Sequence, residues 1–290
     1  MTDQNPSYRV VCFGEVLWDG LPGGRVPGGA PLNVAYHLRK AGCDATVVSA
    51  VGDDELGREL LAIMSQWDLD TSRVNIHDRL PTGTVEVALE AGIPSYKICD
   101  GVAWDEISGD ANASVMSAAE PSAIGFGSLA QRTHLNRESL EALLSQYPRA
   151  MRVFDVNLRP PDIDLPRIDE LLGCADLVKL NIEEFEFLTQ GQPSKNTLES
   201  RAQEFADRYD CKMVCITRGK DGAAFLENET WTEVQATPVN AVDTVGAGDA
   251  FLAALLVGIG RDNLDRLEAL SRATKLAGYV ATQPGATPDY

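Results

Sequence analysis

No stretch of this sequence is apolar for long enough to cross a membrane. The longest such run, residues 250–259, falls well short of the roughly 20 residues that a spanning helix needs. Histidine is scarce: His37, His77 and His134 lie far apart in 290 residues and show no metal-site spacing. Basic charge is in short supply as well, with 25 Lys and Arg against 43 Asp and Glu, for a net charge of −18. Such a chain repels nucleic-acid phosphates and anionic lipid, so neither nucleic acid nor membrane is an expected partner. A small anionic substrate stays open, because a few local donors override net charge. The six cysteines lack the regular spacing of a disulfide framework, and Cys211 and Cys215 are too far apart for a CxxC pair. Residues 1–7 are polar, with no basic stretch leading into an apolar one, so no signal peptide is expected. Free thiols in a reducing cytoplasm are the expectation.

What remains is ordinary globular material. A chain that is 44% hydrophobic and 23% charged is neither disordered nor of low complexity. Its length fits one large domain or two small ones. No linker, repeat or charge block divides it, so we read a single α/β domain over residues 1–290. Residues 9–16 read as a buried strand, followed by a Gly/Pro-rich turn region at 20–29. A helix over 30–41 comes next, with Leu32, Ala35 and Tyr36 on one face and Gly42 at its end. A strand at 45–51 and a helix at 56–67 continue the alternation, which implies a parallel sheet with helices on its faces. The order then breaks. Residues 73–77, 84–90 and 95–99 are short and β-rich, joined by turn residues, and read as a small antiparallel insertion. Strands at 122–126, 151–156, 177–180 and 212–217 follow, with helices at 139–147 and 198–209. A hairpin around Asn228 and helices near 247–257 and 264–282 close the chain.

The strongest chemical signal is Val242-Asp-Thr-Val-Gly-Ala-Gly-Asp-Ala-Phe251. Two glycines in a tight turn open directly into an apolar helix. Such a turn aims backbone N–H groups and the positive end of the helix at one point, an anion site. Asp249 in the first turn is either an ordinary N-terminal acid or the base that phosphoryl transfer to an alcohol requires. A dinucleotide-binding reading is weaker, because the third glycine is missing and too little chain follows. A second signal is Gly28-Gly-Ala-Pro-Leu-Asn-Val-Ala35: the glycines let backbone approach a ligand or merely make a turn. Asn33, one turn into a helix, is a poor helix former. Asp19 lies just past the first strand, where open α/β sheets bind ligands and where turn residues also occur.

These segments resemble the two signatures of the ribokinase-like (PfkB) carbohydrate kinases. The C-terminal signature is matched by residues 243–254. The N-terminal one is matched by residues 28–52, with Asn33, Ala35, Gly42 and Gly52 at the family spacing. Within the family the chain is most similar to fructokinases, through Gly14-Glu-Val-Leu-Trp-Asp19, Pro81-Thr-Gly-Thr-Val-Glu-Val87, Gly101-Val-Ala-Trp-Asp105, Gly127-Ser-Leu-Ala-Gln-Arg132 and Asp155-Val-Asn-Leu-Arg-Pro160. The resemblance covers essentially the whole chain. It implies a central, mainly parallel sheet flanked by helices, with a small β-sheet lid formed by about 17–27 and 73–104.

It also implies roles. Asp249 matches the catalytic base, and Gly246, Ala247 and Gly248 match the anion hole. Asp19, Gly28, Gly29 and Asn33 match residues that grip sugar hydroxyls. Asn181 and Glu184 match the Asn-x-x-Glu element that governs Mg²⁺ and phosphate, although the same spacing makes a helix capping box. Thr217, Arg218 and Gly219 match the strand end over the nucleotide. Asp243, with Gly285 and Ala286, matches a loop for a monovalent cation such as K⁺, or packs a strand end. Arg159 either faces a substrate phosphate or is a surface arginine. Trp18, Trp104 and Tyr96 shape the sugar pocket or pack the lid, and Trp104 is carried as a sugar contact. The implied activity is ATP-dependent phosphorylation of a primary hydroxyl on a free sugar, with fructose giving fructose 6-phosphate. Ribose, another ketose or 2-keto-3-deoxygluconate is the alternative. A keto acid would require cationic donors in the sugar pocket, and the sequence alone places none there. A catalytically inactive sugar-binding or scaffold paralogue is the alternative of another class. A homodimer through the lid is expected, because one face of the 84–90 strand carries Val85, Val87 and Leu89 and must be covered.

Overall fold

The computed structural model describes residues 8–21, 24–90, 93–108, 120–160, 163–189 and 197–290, with backbone alone at 21, 87–90 and 93–96. Side chains of Val87, Leu89 and Tyr96, on which the expected dimer face and one sugar-pocket reading rest, therefore lie outside the described residues.

The first strand, β1 (Arg9–Phe13), shows why the sheet forms. Val10 and Cys12 enter one hydrophobic core, while Val11 and Phe13 enter another on the opposite face. A strand buried on both sides must be covered on both sides, and helices do so. Helices α1 (Ala30–Lys40) and α2 (Glu55–Gln66) pack on one face, with α7 (Ala247–Leu256) and α8 (Arg266–Ala281). The other face is covered by α3 (His134–Gln146), α4 (Leu165–Leu172), α5 (Ile182–Leu188) and α6 (Leu198–Tyr209).

The remaining strands of this sheet are β4 (Asp44–Gly52), β5 (Val74–His77), β8 (Ala123–Gly127), β9 (Met151–Asp155), β10 (Leu177–Asn181), β11 (Met213–Thr217), β12 (Ala223–Glu227) and β13 (Thr230–Val234). Among the described residues it is nine-stranded, in the order β13-β12-β11-β10-β9-β8-β1-β4-β5. Strands β5 through β11 in that row run parallel, and β12 and β13 return antiparallel. The chain winds from β1 outward through β4 to β5, then restarts at β8 on the other side of β1. That reversal opens a crevice at the carboxyl ends of β1 and β8, where doubly wound sheets bind ligands.

A second sheet, in the order β3-β2-β6-β7, comprises β2 (Leu17–Leu21), β3 (Gly24–Gly28), β6 (Gly83–Glu90) and β7 (Ile93–Ile98). It stands over that crevice. Two expectations change here. Residues 73–77 are not part of the insertion: β5 pairs parallel with β4 and ends the main sheet, so α2 and β5 complete one more βαβ unit. A short strand looks the same in sequence whichever sheet receives it. The small sheet is mixed rather than antiparallel, because β2 pairs parallel with β6 and antiparallel with β3. The expected turn region at 20–29 is largely that β2–β3 hairpin. Helix α4, for which the sequence pattern offered no element, begins at the Asp164 cap with Pro166 in its first turn and buries Ile168, Leu171 and Leu172.

The two sheets are joined at Asp54. Its carboxylate caps α2 by accepting from the Gly57 amide at 2.7 Å, and it also accepts from the Thr82 amide (2.8 Å) and hydroxyl (2.7 Å) just before β6. Asp54→Ala should lower the unfolding free energy by about 1–2 kcal/mol, the usual range for a lost N-cap. Asp54→Asn, which keeps an acceptor, should lose less. Urea unfolding of the three proteins checks the order, and an Ala variant as stable as wild type would contradict it.

Candidate active site

The crevice is a cavity of about 1530 Å³ between the small sheet and the carboxyl ends of the main strands. Its floor is the start of α7. Gly246 caps this helix with φ +76°, and a Cβ there would lie 2.5 Å from the Ala286 Cα, so glycine is required twice over. Of the first-turn amides that follow, that of Ala247 bonds the Thr244 carbonyl at 3.3 Å; those of Gly248 and Asp249, residues that line the cavity, have no such partner and are its donors. Gly246 and Gly248 line the cavity, whereas Ala247 does not.

Asp249 sits recessed at the same floor. Its Oδ2 accepts from the Asn33 Nδ2 at 2.8 Å, which joins two residues 216 apart in the chain. Asn33 is four residues into α1 and nearly inaccessible. Burial, then the neighbouring Asp155 charge, push the Asp249 carboxyl up to about 6; Lys179, the Asn33 bond and Arg159 oppose the rise. Asp19, on β2, faces the same space with its carboxyl raised to about 6 by burial and held down by Arg159. Gly28 does not line the cavity: a Cβ on it would lie 2.7 Å from the Asp19 Cγ, so it makes room for that carboxylate. Gly29 does line it, with φ +109° at the head of α1. Arg159 also reaches the cavity, and its charge is felt by Asp19, Asp249 and Glu15.

At the other end of the cavity lie Asn181, Thr217, Arg218 and Gly219, as expected, together with Glu183 and Lys220. Asp243 joins them. Its Oδ1 accepts from the Val245 amide (3.0 Å) and its Oδ2 from the Gly285 amide (3.1 Å), stapling the turn before α7 to the 285–286 segment.

Besides Gly28 and Ala247, two more expected site residues, Trp104 and Glu184, do not line the cavity. Trp104 is fully buried in the core beneath the small sheet, with the Arg132 guanidinium 4.0 Å from its ring centre. An indole of that size fills the space under Gly83 instead of meeting a sugar. Trp18 behaves alike, donating its Nε1 to the Leu56 carbonyl at 3.0 Å. Glu184 has both oxygens engaged by backbone: Oε1 accepts from the Leu158 amide and Oε2 from the Asn181 amide, each at 2.8 Å. With Asn181 Oδ1 accepting from the Glu184 amide, this is the capping box, and it ties the loop carrying Arg159 to the head of α5.

Residues that the sequence reading missed complete the floor. Lys179 lies inside buried β10, and its Nζ donates to both Asp155 oxygens at 2.9 and 3.0 Å. Although burial works against its charge, Asp155 and then Asp249 hold this ammonium above its ordinary value. Its Nζ would be 3.0 Å from a Cβ at Gly248, so the ammonium sits directly beneath the turn. Glu15 is also inaccessible; burial raises its carboxyl to about 7, and its Oε1 accepts from the Ala30 amide at 3.3 Å. A charged residue in the middle of a buried strand is a signal in itself, since Lys and Asp are almost never fully buried unless paired.

The raised Asp249 value has a consequence for stability. The folded carboxyl binds its proton more tightly than the ~3.9 of an unfolded aspartate, so its contribution to stability is present in acid and lost as pH rises through about 6. Asp249→Asn escapes that loss. The variant should melt above wild type at mildly alkaline pH, and the gap should close in acid; melting curves across pH test this, and a constant gap would refute it.

Comparison with known proteins agrees with this geometry. Residues 8–290 match the model of the pfkB family carbohydrate kinases. The chain is 33% identical over 270 residues to the uncharacterized sugar kinase PH1459 of Pyrococcus horikoshii, covering 89% of this chain and 81% of that one. It is 30% identical to a fructokinase of Salmonella typhimurium, covering 94% and 93%. The structure of the Pyrococcus kinase in complex with ATP has a TM-score of 0.80 at 29% identity, over 96% of this chain and 94% of the other. A fructokinase from Vibrio cholerae O395, solved with fructose, ADP and calcium ion, has a TM-score of 0.80 at 25% identity, over 96% and 94%. The fold is ribokinase-like, and the chain belongs to the pfkB family of carbohydrate kinases.

Proposed function

We propose that this ATP-dependent sugar kinase acts as a fructokinase, transferring the γ-phosphoryl group of ATP to the primary hydroxyl that yields fructose 6-phosphate. The observation that carries the reading is Asp249, raised to about 6 and hydrogen-bonded to Asn33, beside the turn at Gly246. A base with that value is ionised at neutral pH and still basic enough to accept a hydroxyl proton. The hydroxyl then attacks in line, while the first-turn amides and the Lys179 ammonium stabilise the travelling charge. Asp19, Gly29 and Asn33 hold the sugar, and the small sheet excludes water above it.

The nucleotide lies over Thr217, Arg218 and Gly219, with its phosphates toward Asn181 and the turn. Mg²⁺ arrives with those phosphates as part of the substrate and neutralises their charge. The residues present fit that arrangement: such sites need only one or two carboxylates besides phosphate and water, and the exposed Glu183 lines the cavity. Glu183 is open for this, while Glu184 acts through the capping box. Asp243 and the Gly285–Ala286 turn are the candidates for a monovalent cation such as K⁺. The homodimer through the small sheet belongs to the same proposal, supported by the apolar alternation of Val85, Val87 and Leu89 in sequence. A cytoplasmic location is in keeping with six unpaired cysteines.

Arg159 gives the keto-acid alternative a specific footing, since a cation does reach the sugar end. Against it stand the Glu15, Asp19 and Asp249 carboxylates around that same guanidinium. A neutral sugar leaves this balance undisturbed, whereas an acid sugar adds a further anion. Coupled ADP release with fructose, ribose and 2-keto-3-deoxygluconate decides between them; kcat/KM highest for the keto acid would overturn the fructose assignment.

Asp249→Asn should lose ~10²–10⁴ in turnover, as expected for a general base, with ATP binding retained. In wild type, kcat/KM should rise with pH through about 6 as Asp249 ionises; turnover of the variant within a few-fold of wild type would sink the assignment.

Asp19→Ala should raise the sugar KM and leave the ATP KM nearly unchanged, since a charge-assisted hydrogen bond is worth roughly 1.5–3 kcal/mol. Steady-state kinetics with each substrate varied in turn separates the two. A raised ATP KM alone would place Asp19 outside the sugar pocket.

A further inference from the structure

Helix α1 sends two side chains, one turn apart on the same face, toward the reaction centre. Asn33 goes to Asp249. His37 goes elsewhere: its Nε2 lies 2.9 Å from the Ala286 carbonyl oxygen, and its Nδ1 lies 3.0 Å from the Tyr290 hydroxyl. A carbonyl only accepts, so Nε2 carries the proton and donates. Nδ1 is then the acceptor for the tyrosine O–H. The ring is 1% exposed and stacked on Tyr290 at 5.8 Å and 18°, and burial lowers its value to about 4, which keeps it neutral. The segment it holds is fastened independently: Tyr36 donates to the Pro288 carbonyl (2.9 Å), Tyr279 to the Asp289 carbonyl (3.0 Å), and Lys40 pairs with the Asp289 carboxylate (2.6 Å).

Ala286 matters because of what it touches. It lines the cavity, and it backs onto Gly246 so closely that no Cβ fits between them. The adjoining Gly285 amide is bonded to Asp243, at the other end of the same turn. The turn that opens α7 is therefore wedged between its own helix and the 285–286 segment, and that segment is held from below by His37.

We propose that His37 is a positioning residue for phosphoryl transfer: by donating from Nε2 to the Ala286 carbonyl it sets the turn at Gly246 relative to Asp249. The inference rests on the proposed role of that turn as the phosphoryl site. Asn33 and His37 then act as a pair on one rigid helix, one aligning the base and the other the anion site. Small displacements of reacting groups are expensive in rate.

Two variants separate the two ends of the imidazole. His37→Gln places an amide N–H where Nε2 was and keeps the bond to Ala286. His37→Asn places its amide near Nδ1, keeps a partner for Tyr290 and leaves Ala286 unbonded. Both leave a polar group in the same buried site, so their melting temperatures report any general destabilisation alike. With kinetics measured well below both transitions, the Asn variant should lose about tenfold or more in kcat, with the sugar KM within about twofold of wild type, because Asp19 and Asn33 are untouched. The Gln variant should recover most of the turnover. An Asn variant with wild-type kcat overturns the proposal, and so does a Gln variant as slow as the Asn one. Asp249→Asn is assayed alongside: if it stays active, the phosphoryl site itself is misplaced, whereas an inactive Asp249→Asn beside a fully active His37→Asn rejects the role of His37 alone.

Discussion

A carboxylate held half-buried at the head of an apolar helix is the constraint on which this structure turns. Helix α7 is almost wholly buried beyond its first turn, so Asp249 stands where the cavity meets the core. The helix end favours the negative charge by its dipole and free amides. Asn33 supplies a hydrogen bond and Lys179 a counter-charge, while Asp155 works against both. The outcome is a carboxyl raised to about 6, ionised at neutral pH but poorly stabilised. That imbalance is what a base needs. The neighbours are fixed in turn: Gly248 leaves room for Lys179, Lys179 requires Asp155 to remain charged, and Asp155 closes β9 beside β10. Breaking a buried pair by removing one partner is strongly destabilising, so the Lys179–Asp155 pair fastens β9 and β10 directly beneath the turn that carries Asp249.

The topology delivers these groups to one place. Glu15, Arg159, Asn181 and Thr217 follow or end strands β1, β9, β10 and β11, and all lie at the carboxyl edge of the sheet. Helices α1 and α7 bring their N-termini to the same edge. No loop has to reach far. The small sheet is built from the connections after β1 and β5, so Asp19 is carried on a strand rather than on a loop. Its parallel pairing with β6 ties the Asp19 end of the cavity to Thr82 and Asp54, and hence to α2.

Much of this was legible in the sequence because the chemistry is local there. The turn at Gly246, the Gly28–Gly29 pair, Asp19 and Asp249 each stand in a short pattern that only a few backbone shapes satisfy. Trp104 was misjudged for the opposite reason. A tryptophan near a pocket and a tryptophan under one read alike in sequence, and only the close approach of Gly83 shows which it is. Strand β5 could not be assigned to its sheet, since β4 is its partner and pairing is not written in four residues. Lys179 and Asp155 left a trace, charges inside apolar strands, but their bond to each other spans 24 residues and is made by the sheet. His37 left none. Its meaning depends on Ala286, 249 residues away, and on the close approach of Ala286 to Gly246.

The distribution of charge explains how a chain at −18 handles an anionic nucleotide. The cavity is not uniformly acidic. Glu15, Asp19 and Asp249 gather at one end, around Arg159. Arg218 and Lys220 stand at the other, with Glu183, Asp221 and Asp243 among them. Hydroxyls bind well to carboxylates, which accept from them, and phosphates bind well to cations and amides, which donate. A sugar phosphate or a nucleotide turned the wrong way would place phosphate against three carboxylates. On the proposed reading, the same side chains that would hold each substrate also reject its misplacement, and Asp249 begins its helix where the two substrates meet.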